Sequence, residues 1–134
     1  MKLKLDMTPD ALFWQSMSQL LTTNPVIIDR PKGSSHPRYP TVIYPLDYGY
    51  LENTTSSDGN GIDVWLGSLI TVTNRHDAKT LTGILCTFDR LKRDAEIKLL
   101  IGCSAEDIQC IRDFHNEMDT LYIPNPVAEH DLSS

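Results

Sequence analysis

The sequence predicts an α+β fold that is mainly β, with a helix near each end and a β-rich middle. Apolar residues recur at helical spacing after Thr8 and after Ser104, which predicts the two helices. Between them, short apolar or alternating runs are separated by proline, glycine and aspartate, a pattern typical of strands joined by turns. The length of 134 residues is that of one domain, so we expect a single unit over residues 1–134.

The first helix is predicted over residues 8–22. The stretch Thr8-Pro9-Asp10 combines a capping hydroxyl, a proline and an acid, as helix starts do. Five apolar side chains follow at helical spacing and are expected to pack on the body of the protein: Leu12, Phe13, Met17, Leu20 and Leu21. The pair Asn24-Pro25 ends the helix, and residues 26–28 are predicted to form a short strand.

The second helix is predicted over residues 104–118, followed by a loose tail over residues 124–134. Ser104 and Asp107 resemble a capping box at its start. Four apolar residues share one face: Ile108, Ile111, Phe114 and Met118. His115 and Asn116 either approach the site or lie exposed on the helix, and for His115 we expect exposure. Cys103 and Cys110 are expected to serve packing alone.

Composition excludes several classes of function. The net charge of −6 argues against duplex nucleic acid as a partner, because a phosphate backbone requires a basic surface. No apolar run approaches the ~20 residues of a membrane span, and the amino terminus lacks the apolar core of a signal peptide. The three cysteines have no CxxC spacing and indicate thiols in a reducing compartment. We therefore expect a soluble cytoplasmic protein that binds neither nucleic acid nor membrane.

A stiff, cationic loop follows the first strand. Four prolines between residues 29 and 45 fix the backbone and withhold amide donors, so no regular central strand is expected there. Four cationic or titratable side chains lie on this segment: Arg30, Lys32, His36 and Arg38. Such a segment is either a solvated surface loop or a preorganised anion site, and its own sequence does not distinguish the two.

Two aspartates five residues apart, Asp58 and Asp63, flank a glycine-rich turn. Like charges at close range repel, so water or a cation has to lie between them if they meet. Capping of its own turn explains Asp58 well. It explains Asp63 poorly, because Asp63 lies on an otherwise apolar strand where a carboxylate is costly unless it is paired or bound to metal. The spacing does not fit an EF-hand, which needs a glycine and a closing glutamate at other offsets.

A second acidic pair lies on the next predicted hairpin. An apolar strand over residues 81–88 leads to a charged turn from Asp89 to Asp94, and on the returning strand Asp94, Glu96 and Lys98 alternate with apolar residues. A strand with one solvated face explains this pattern by itself. Together with the cationic loop and with Tyr48, four aspartates at neighbouring strand ends favour a site where Mg²⁺ or Mn²⁺ bridges phosphate.

The stretch YPLDYGYLENTTSSDGNGIDVWLG, residues 44–67, strongly resembles the signature of soluble inorganic pyrophosphatases of the β-barrel class. Residues 27–39 and 88–98 resemble the lysine-bearing segment and the later Asp-(x)4-Asp-x-Lys element of that family. The likeness covers about residues 26–101 and suggests a shortened, divergent member. It implies a small closed OB-like five-stranded β-barrel with the two helices packed outside, a homo-oligomer, and Mg²⁺-dependent hydrolysis of a phosphoanhydride, with Mn²⁺ as the other candidate metal.

Carried over by position, the resemblance assigns metal binding to four aspartates: Asp58, Asp63, Asp89 and Asp94. Tyr48 matches the tyrosine near the attacking water, and Arg38 matches a phosphate-binding lysine. Asp29 falls where the family has a glutamate at the mouth of the site.

The chain also departs from the family pattern. Asn60 stands where the family has the aspartate that accepts the proton of the metal-bound water; an amide can position a water but cannot act as a general base. Glu96 takes the place of a family lysine, for which Lys98 on the same strand face can substitute. Arg30 and Lys32 are candidate replacements for cations lost from the shortened hairpin at residues 39–44 and from a carboxy-terminal pair that has no match here.

The sequence therefore predicts hydrolysis of inorganic pyrophosphate to phosphate by a metal-activated water. The catalytic candidates are Asp63, Tyr48 and Asn60. The substrate-binding candidates are Arg38, Arg30, Lys32, Lys98 and Tyr48. Two alternatives stay open: a hydrolase of another phosphoanhydride or phosphoester such as a nucleotide, and a catalytically silent regulator that binds phosphate or a nucleotide.

Overall fold

The structure is a computed structural model that describes residues 8–70 and 81–127. The helices of this part are α1 (Pro9–Thr23) and α2 (Ala105–Phe114). Its strands are β1 (Val26–Arg30), β2 (Asp47–Leu51), β3 (Asp63–Leu66), β4 (Leu81–Asp89), β5 (Asp94–Ile101) and β6 (Asp119–Pro124). The fold is mainly β, as predicted, and α1 matches the predicted first helix with Thr8 as its N-cap.

The described strands form one six-stranded sheet in the order β1-β2-β3-β5-β4-β6. All neighbours are antiparallel except β3 and β5, which are parallel. Strands β1 and β6 are the two edges, and no pairing between described residues joins them. The prediction of a closed five-stranded barrel is therefore wrong, because β6 adds a sixth strand beside β4 and no described pairing joins the two edge strands.

Each helix covers one face of the sheet. On the α1 face, Trp14 and Leu21 of the helix pack with the strand residues Leu51, Val64 and Leu99. On the α2 face, Ile111 packs with Trp65, Leu85 and Leu100, and Phe114 lies against this cluster. The alternation along β5 divides its side chains between the two faces, so Lys98 shares the α2 face with Leu100.

The carboxy-terminal elements differ from the sequence prediction. Helix α2 ends at Phe114 instead of continuing to residue 118, and His115 is its buried C-cap, only 8% exposed. Residues 119–124 form β6, a six-residue strand that the sequence prediction does not include. Asn125 is buried and bonded to the backbone of Leu81 and Thr82, so the predicted loose tail is held in place here. Residues 128–134 lie outside the described part of the chain.

The two cysteines expected to serve packing differ in burial. Cys103 is buried and packs in the α2-face cluster, as expected, whereas Cys110 is exposed. Among the described residues, no helix is both long and apolar enough to cross a membrane.

The start of α2 is held by Asp107, whose Oδ2 accepts hydrogen bonds from Ser68 N, Ser68 Oγ and Ser104 N. Ser104 Oγ accepts from Asp107 N in return, which completes the predicted capping box. We expect Ser104→Ala to lower the free energy of unfolding by about 1 kcal/mol and Asp107→Ala by about 2 kcal/mol, because only the second also releases Ser68. Chemical denaturation measures both. Equal losses in the two variants would show that the bonds to Ser68 contribute no stability.

Candidate anion site on the α2 face

The centre of the candidate site is the ammonium group of Lys98. Its Nζ donates hydrogen bonds to Tyr48 Oη at 2.9 Å, to Asp63 Oδ2 at 3.0 Å and to Glu96 Oε1 at 3.0 Å. An ammonium group has three donors, so all of them are used. The Lys98 side chain is 5% exposed, against 27% for Asp63 and 26% for Glu96. The cation is therefore buried beneath two carboxylates that still reach solvent.

Strand register brings these four side chains together. Asp63 on β3 is the Cα partner of Lys98 on the parallel strand β5, and Glu96 lies two residues earlier on the same face of β5. Tyr48 on β2 is the partner of Trp65, the next residue on the same face after Asp63. The alternation predicted for β5 is thus confirmed.

The surroundings shift the pKa of each group in this cluster. Burial by itself would lower the pKa of Lys98, but Tyr48, Asp63 and Glu96 together raise it well above its usual range. Burial raises the pKa of Tyr48, and this outweighs the opposing effect of Lys98. Burial likewise raises the pKa of Asp63 despite Lys98. At neutral pH the lysine is charged and Tyr48 keeps its proton.

Arg30 reaches the same face through a β-bulge. The register between β1 and β2 shifts between Ile28 and Arg30, so Arg30 pairs with Tyr48 instead of the residue that regular alternation would give. Gly49 allows this close pairing, because a Cβ there would collide with the backbone of Ile27 and Ile28. The bulge turns Arg30 toward the face of Tyr48, whereas Ile28 packs on the α1 face.

Several buried nitrogen atoms of this region have no hydrogen-bond partner among the described residues: Arg30 Nη1, Trp65 Nε1 and His115 Nε2. The Arg30 guanidinium lies over the Tyr44 ring, 5.9 Å from its centroid. The rings of Tyr44, Tyr48 and Trp65 contact one another, and Trp65 also contacts His115. Arginine and indole nitrogens are obligate donors, so Arg30 Nη1 and Trp65 Nε1 each still need an acceptor.

The cationic loop lies over the edge of the aromatic cluster. The His36 ring stacks on Tyr44 with centroids 6.3 Å apart, and the backbone N of Arg38 donates to His36 Nδ1. The Lys32 backbone N donates to Asp47 Oδ1, which fixes the start of the loop. The side chains of Lys32 and Arg38 are exposed. The loop therefore carries two exposed cations whose side chains have no partner among the described residues, and no regular strand forms in it, as predicted.

The glycine-rich turn is organised by its own hydrogen bonds. Asp58 Oδ1 accepts from Ser56 Oγ at 2.6 Å and from Asn60 N at 2.9 Å. These bonds lower the pKa of Asp58, whose side chain is fully exposed. Asn60 contributes its backbone to this turn. The capping explanation weighed for Asp58 in the sequence is confirmed.

Asp89 and Asp94 close the β4–β5 hairpin as partners in register. Asp89 Oδ1 accepts from the backbone N of Leu91 and Lys92, so it caps the turn. Arg90 in the same turn forms an exposed ion pair with Asp119, 2.8 Å long. Asp29, expected at the mouth of the site, is exposed on β1.

These aspartates do not fit a divalent cation as they are arranged. In the described part of the chain, no three side chains of histidine, cysteine, aspartate or glutamate lie close enough together to hold a metal ion. Magnesium needs free carboxylate oxygens. One oxygen of each of three aspartates is already hydrogen-bonded: Asp63 Oδ2 to Lys98, and Asp58 Oδ1 and Asp89 Oδ1 to donors of their own turns. The predicted metal set Asp58, Asp63, Asp89 and Asp94 is therefore not gathered around one point.

A cavity of about 630 Å³ is lined largely by the uncovered apolar end of the α1 face. Its apolar lining includes Met17, Phe88, Ile97 and Leu121. No lysine or arginine lines it, whereas three acids do: Asp63, Glu96 and Asp119. A phosphate anion is attracted by cations and repelled by carboxylates, so this cavity does not suit one.

Sequence reasoning missed two members of the α2-face region. His115 was expected to be exposed, but the chain turns after Phe114 and buries its ring against Trp65. For Trp65 the sequence predicts only a place in an apolar strand. Its position beside Tyr48 depends on the β2–β3 register, for which the sequence has no direct signal.

Comparisons with known proteins add one fold likeness. No family model and no curated protein matches the chain. Among solved structures, the chain is similar to an inorganic pyrophosphatase. That protein is from the pathogenic bacterium Helicobacter pylori; the two are 18% identical, the match covers 74% of this chain and 81% of that one, and the TM-score is 0.47.

Proposed function

We propose that this protein binds inorganic pyrophosphate, or the diphosphate group of a larger phosphoanhydride, on the α2 face and hydrolyses it. The observation that carries the proposal is the buried Arg30 Nη1 without a partner among the described residues, placed beside Tyr44 and Tyr48. A guanidinium that needs acceptors, next to two phenols, matches the oxygens of a phosphoryl group.

Each side chain has a separate proposed role. Lys98 donates to Tyr48 Oη, and the Tyr48 hydroxyl is itself hydrogen-bonded to the Asp63 carboxylate. Tyr48 is proposed to turn this proton to a phosphoryl oxygen when the anion binds. The exposed cations Lys32 and Arg38 add positive charge at the mouth. Asp63 is the proposed acceptor of a proton from the attacking water, because burial raises its pKa toward the range in which a carboxylate is an effective base.

The expected result of an assay is release of phosphate from pyrophosphate, and a loss of about tenfold or more in affinity for pyrophosphate in Arg30→Met. Phosphate release and isothermal titration calorimetry measure the two quantities, each with Mg²⁺ and with EDTA. Arg90→Met is the matched control, since Arg90 forms only an exposed ion pair away from the α2-face cluster. Equal affinity for pyrophosphate in wild type and Arg30→Met would contradict the proposed binding of the anion beside Arg30.

A second candidate function is favoured by the hydrogen bonds that already occupy Asp63 and Glu96. Asp63 and Glu96 are both held by Lys98, and Asn60 offers an amide where the resemblance calls for a base. This arrangement favours a protein that binds a phosphoanion without hydrolysing it. Binding of pyrophosphate without phosphate release, repeated across a panel of nucleotides, would identify the silent regulator. Homo-oligomerisation and a cytoplasmic location stay predictions.

A further inference from the structure

Lys98 lies where an oxygen-liganded cation would otherwise be needed. Asp63 and Glu96 approach the same Nζ, each at 3.0 Å, from two adjacent strands. Two carboxylates that converge on one point repel each other unless a cation lies between them. In this chain a covalently attached cation already fills that position.

The ammonium group is also saturated and buried. Its third hydrogen bond goes to Tyr48 Oη, and its charge lies 5.4 Å from the centroid of the Tyr48 ring. A divalent ion that used Asp63 and Glu96 would have to displace this ammonium or sit beside it, against strong repulsion. The Lys98 side chain is only 5% exposed, and its ammonium group donates three hydrogen bonds. A metal ion that displaced the ammonium group would have to break all three.

Among the described residues, the other predicted metal ligands form no replacement site of three acidic, histidine or cysteine side chains. Asp58 Oδ1 accepts hydrogen bonds from Ser56 and Asn60, and Asp89 Oδ1 accepts from the backbone of its hairpin. Arg30 Nη1, a donor with no partner among the described residues, belongs to the protein itself and needs no metal ion to attract an anion. None of the anion-binding groups on this face depends on a metal ion for its position.

We propose that Lys98 is the resident cation of this site, replacing a divalent metal between Asp63 and Glu96, so that the protein binds a diphosphate anion without metal. This inference rests on the proposed function, because it concerns the same anion site. It deepens that function by specifying a free diphosphate, not its metal complex, as the bound species.

The first test uses the wild-type protein and methylenediphosphonate, a diphosphate analogue that is not hydrolysed. Calorimetry is expected to give the same dissociation constant with EDTA and with Mg²⁺, within a factor of about two. Mg²⁺ or Mn²⁺ alone is expected to leave the melting temperature unchanged. Binding only with Mg²⁺ would overturn the inference and leave the proposed function standing. No binding under either condition would instead overturn the proposed function.

The second test removes the ammonium. Lys98→Met and the more polar Lys98→Gln are expected to gain Mn²⁺ binding that wild type lacks, because Asp63 and Glu96 are then free to ligate a metal. Lys92→Gln is the matched control, since Lys92 is exposed and only its backbone bonds to Asp89. Mn²⁺ paramagnetic resonance measures the bound ion. If Lys98→Gln folds but binds no more Mn²⁺ than Lys92→Gln, the proposal that Lys98 replaces the metal is overturned. If both Lys98 variants fail to fold, the calorimetric titrations of wild type decide the question.

Discussion

Lys98→Met is expected to lower the free energy of unfolding by about 3 kcal/mol, the low end of the cost of breaking a buried ion pair. The variant leaves Asp63 and Glu96 facing each other without a cation, and it also leaves Tyr48 Oη without its donor. The low end applies because about a quarter of each carboxylate side chain is exposed, 27% and 26%. Urea denaturation at pH 7 measures the loss.

Neutralising the two acids should reverse most of that loss. In a triple variant with Lys98→Met, Asp63→Asn and Glu96→Gln, no charge remains to be compensated, and uncharged replacement of a buried ion pair is often close to neutral in stability. The control Lys92→Met should change stability by less than about 0.5 kcal/mol, as exposed substitutions do. A triple variant no more stable than Lys98→Met would show that the lysine acts through its packing and not through its charge.

Acid is expected to destabilise the protein through His115. Burial, and then the charge of Lys98, lower the pKa of His115 to about 3, so the folded protein keeps this ring neutral while the unfolded chain protonates it near pH 6.5. Between these values the unfolded state binds more protons, and stability falls as the pH falls. The linkage gives a loss of about 2 kcal/mol between pH 7 and pH 5 from this ring alone.

The measurement is a set of urea denaturation curves from pH 7 to pH 5 for wild type and His115→Gln. Glutamine cannot take up the proton, so the variant should show a slope against pH that is smaller by the His115 share. Because the Nε2 atom of His115 has no partner among the described residues, the substitution breaks no observed hydrogen bond there. An unchanged slope in His115→Gln would mean that the ring is protonated in the folded protein, against the burial described here.

Stability by itself does not favour a buried charge at Lys98. An apolar residue at this position of β5 would join Leu85 and Leu100 on the α2 face at no desolvation cost. Instead, the chain has an ammonium group there that donates three hydrogen bonds and lies beneath two carboxylates. The desolvation cost of this ammonium group is consistent with the anion site proposed above, which needs polar groups at fixed positions.

The sequence by itself determined the local structure of this protein. Thr8-Pro9 marks the start of α1, Ser104 and Asp107 cap α2, and period-two alternation predicts the two faces of β5. These predictions succeed because helix caps and strand alternation depend on residues a few positions apart. Asp58 as the cap of its own turn belongs to the same class.

Only the tertiary structure decided which of the candidate residues meet. The parallel register of β3 and β5 puts Asp63 against Lys98, 35 residues away, and the bulge at β1 turns Arg30 toward Tyr48. Strand order, and with it the open sheet in place of a closed barrel, is likewise set by pairing and by α1 packing on one face. Register and bulges arise from contacts between distant segments, and a one-residue shift moves a side chain to the opposite face, so no local pattern in the sequence specifies them.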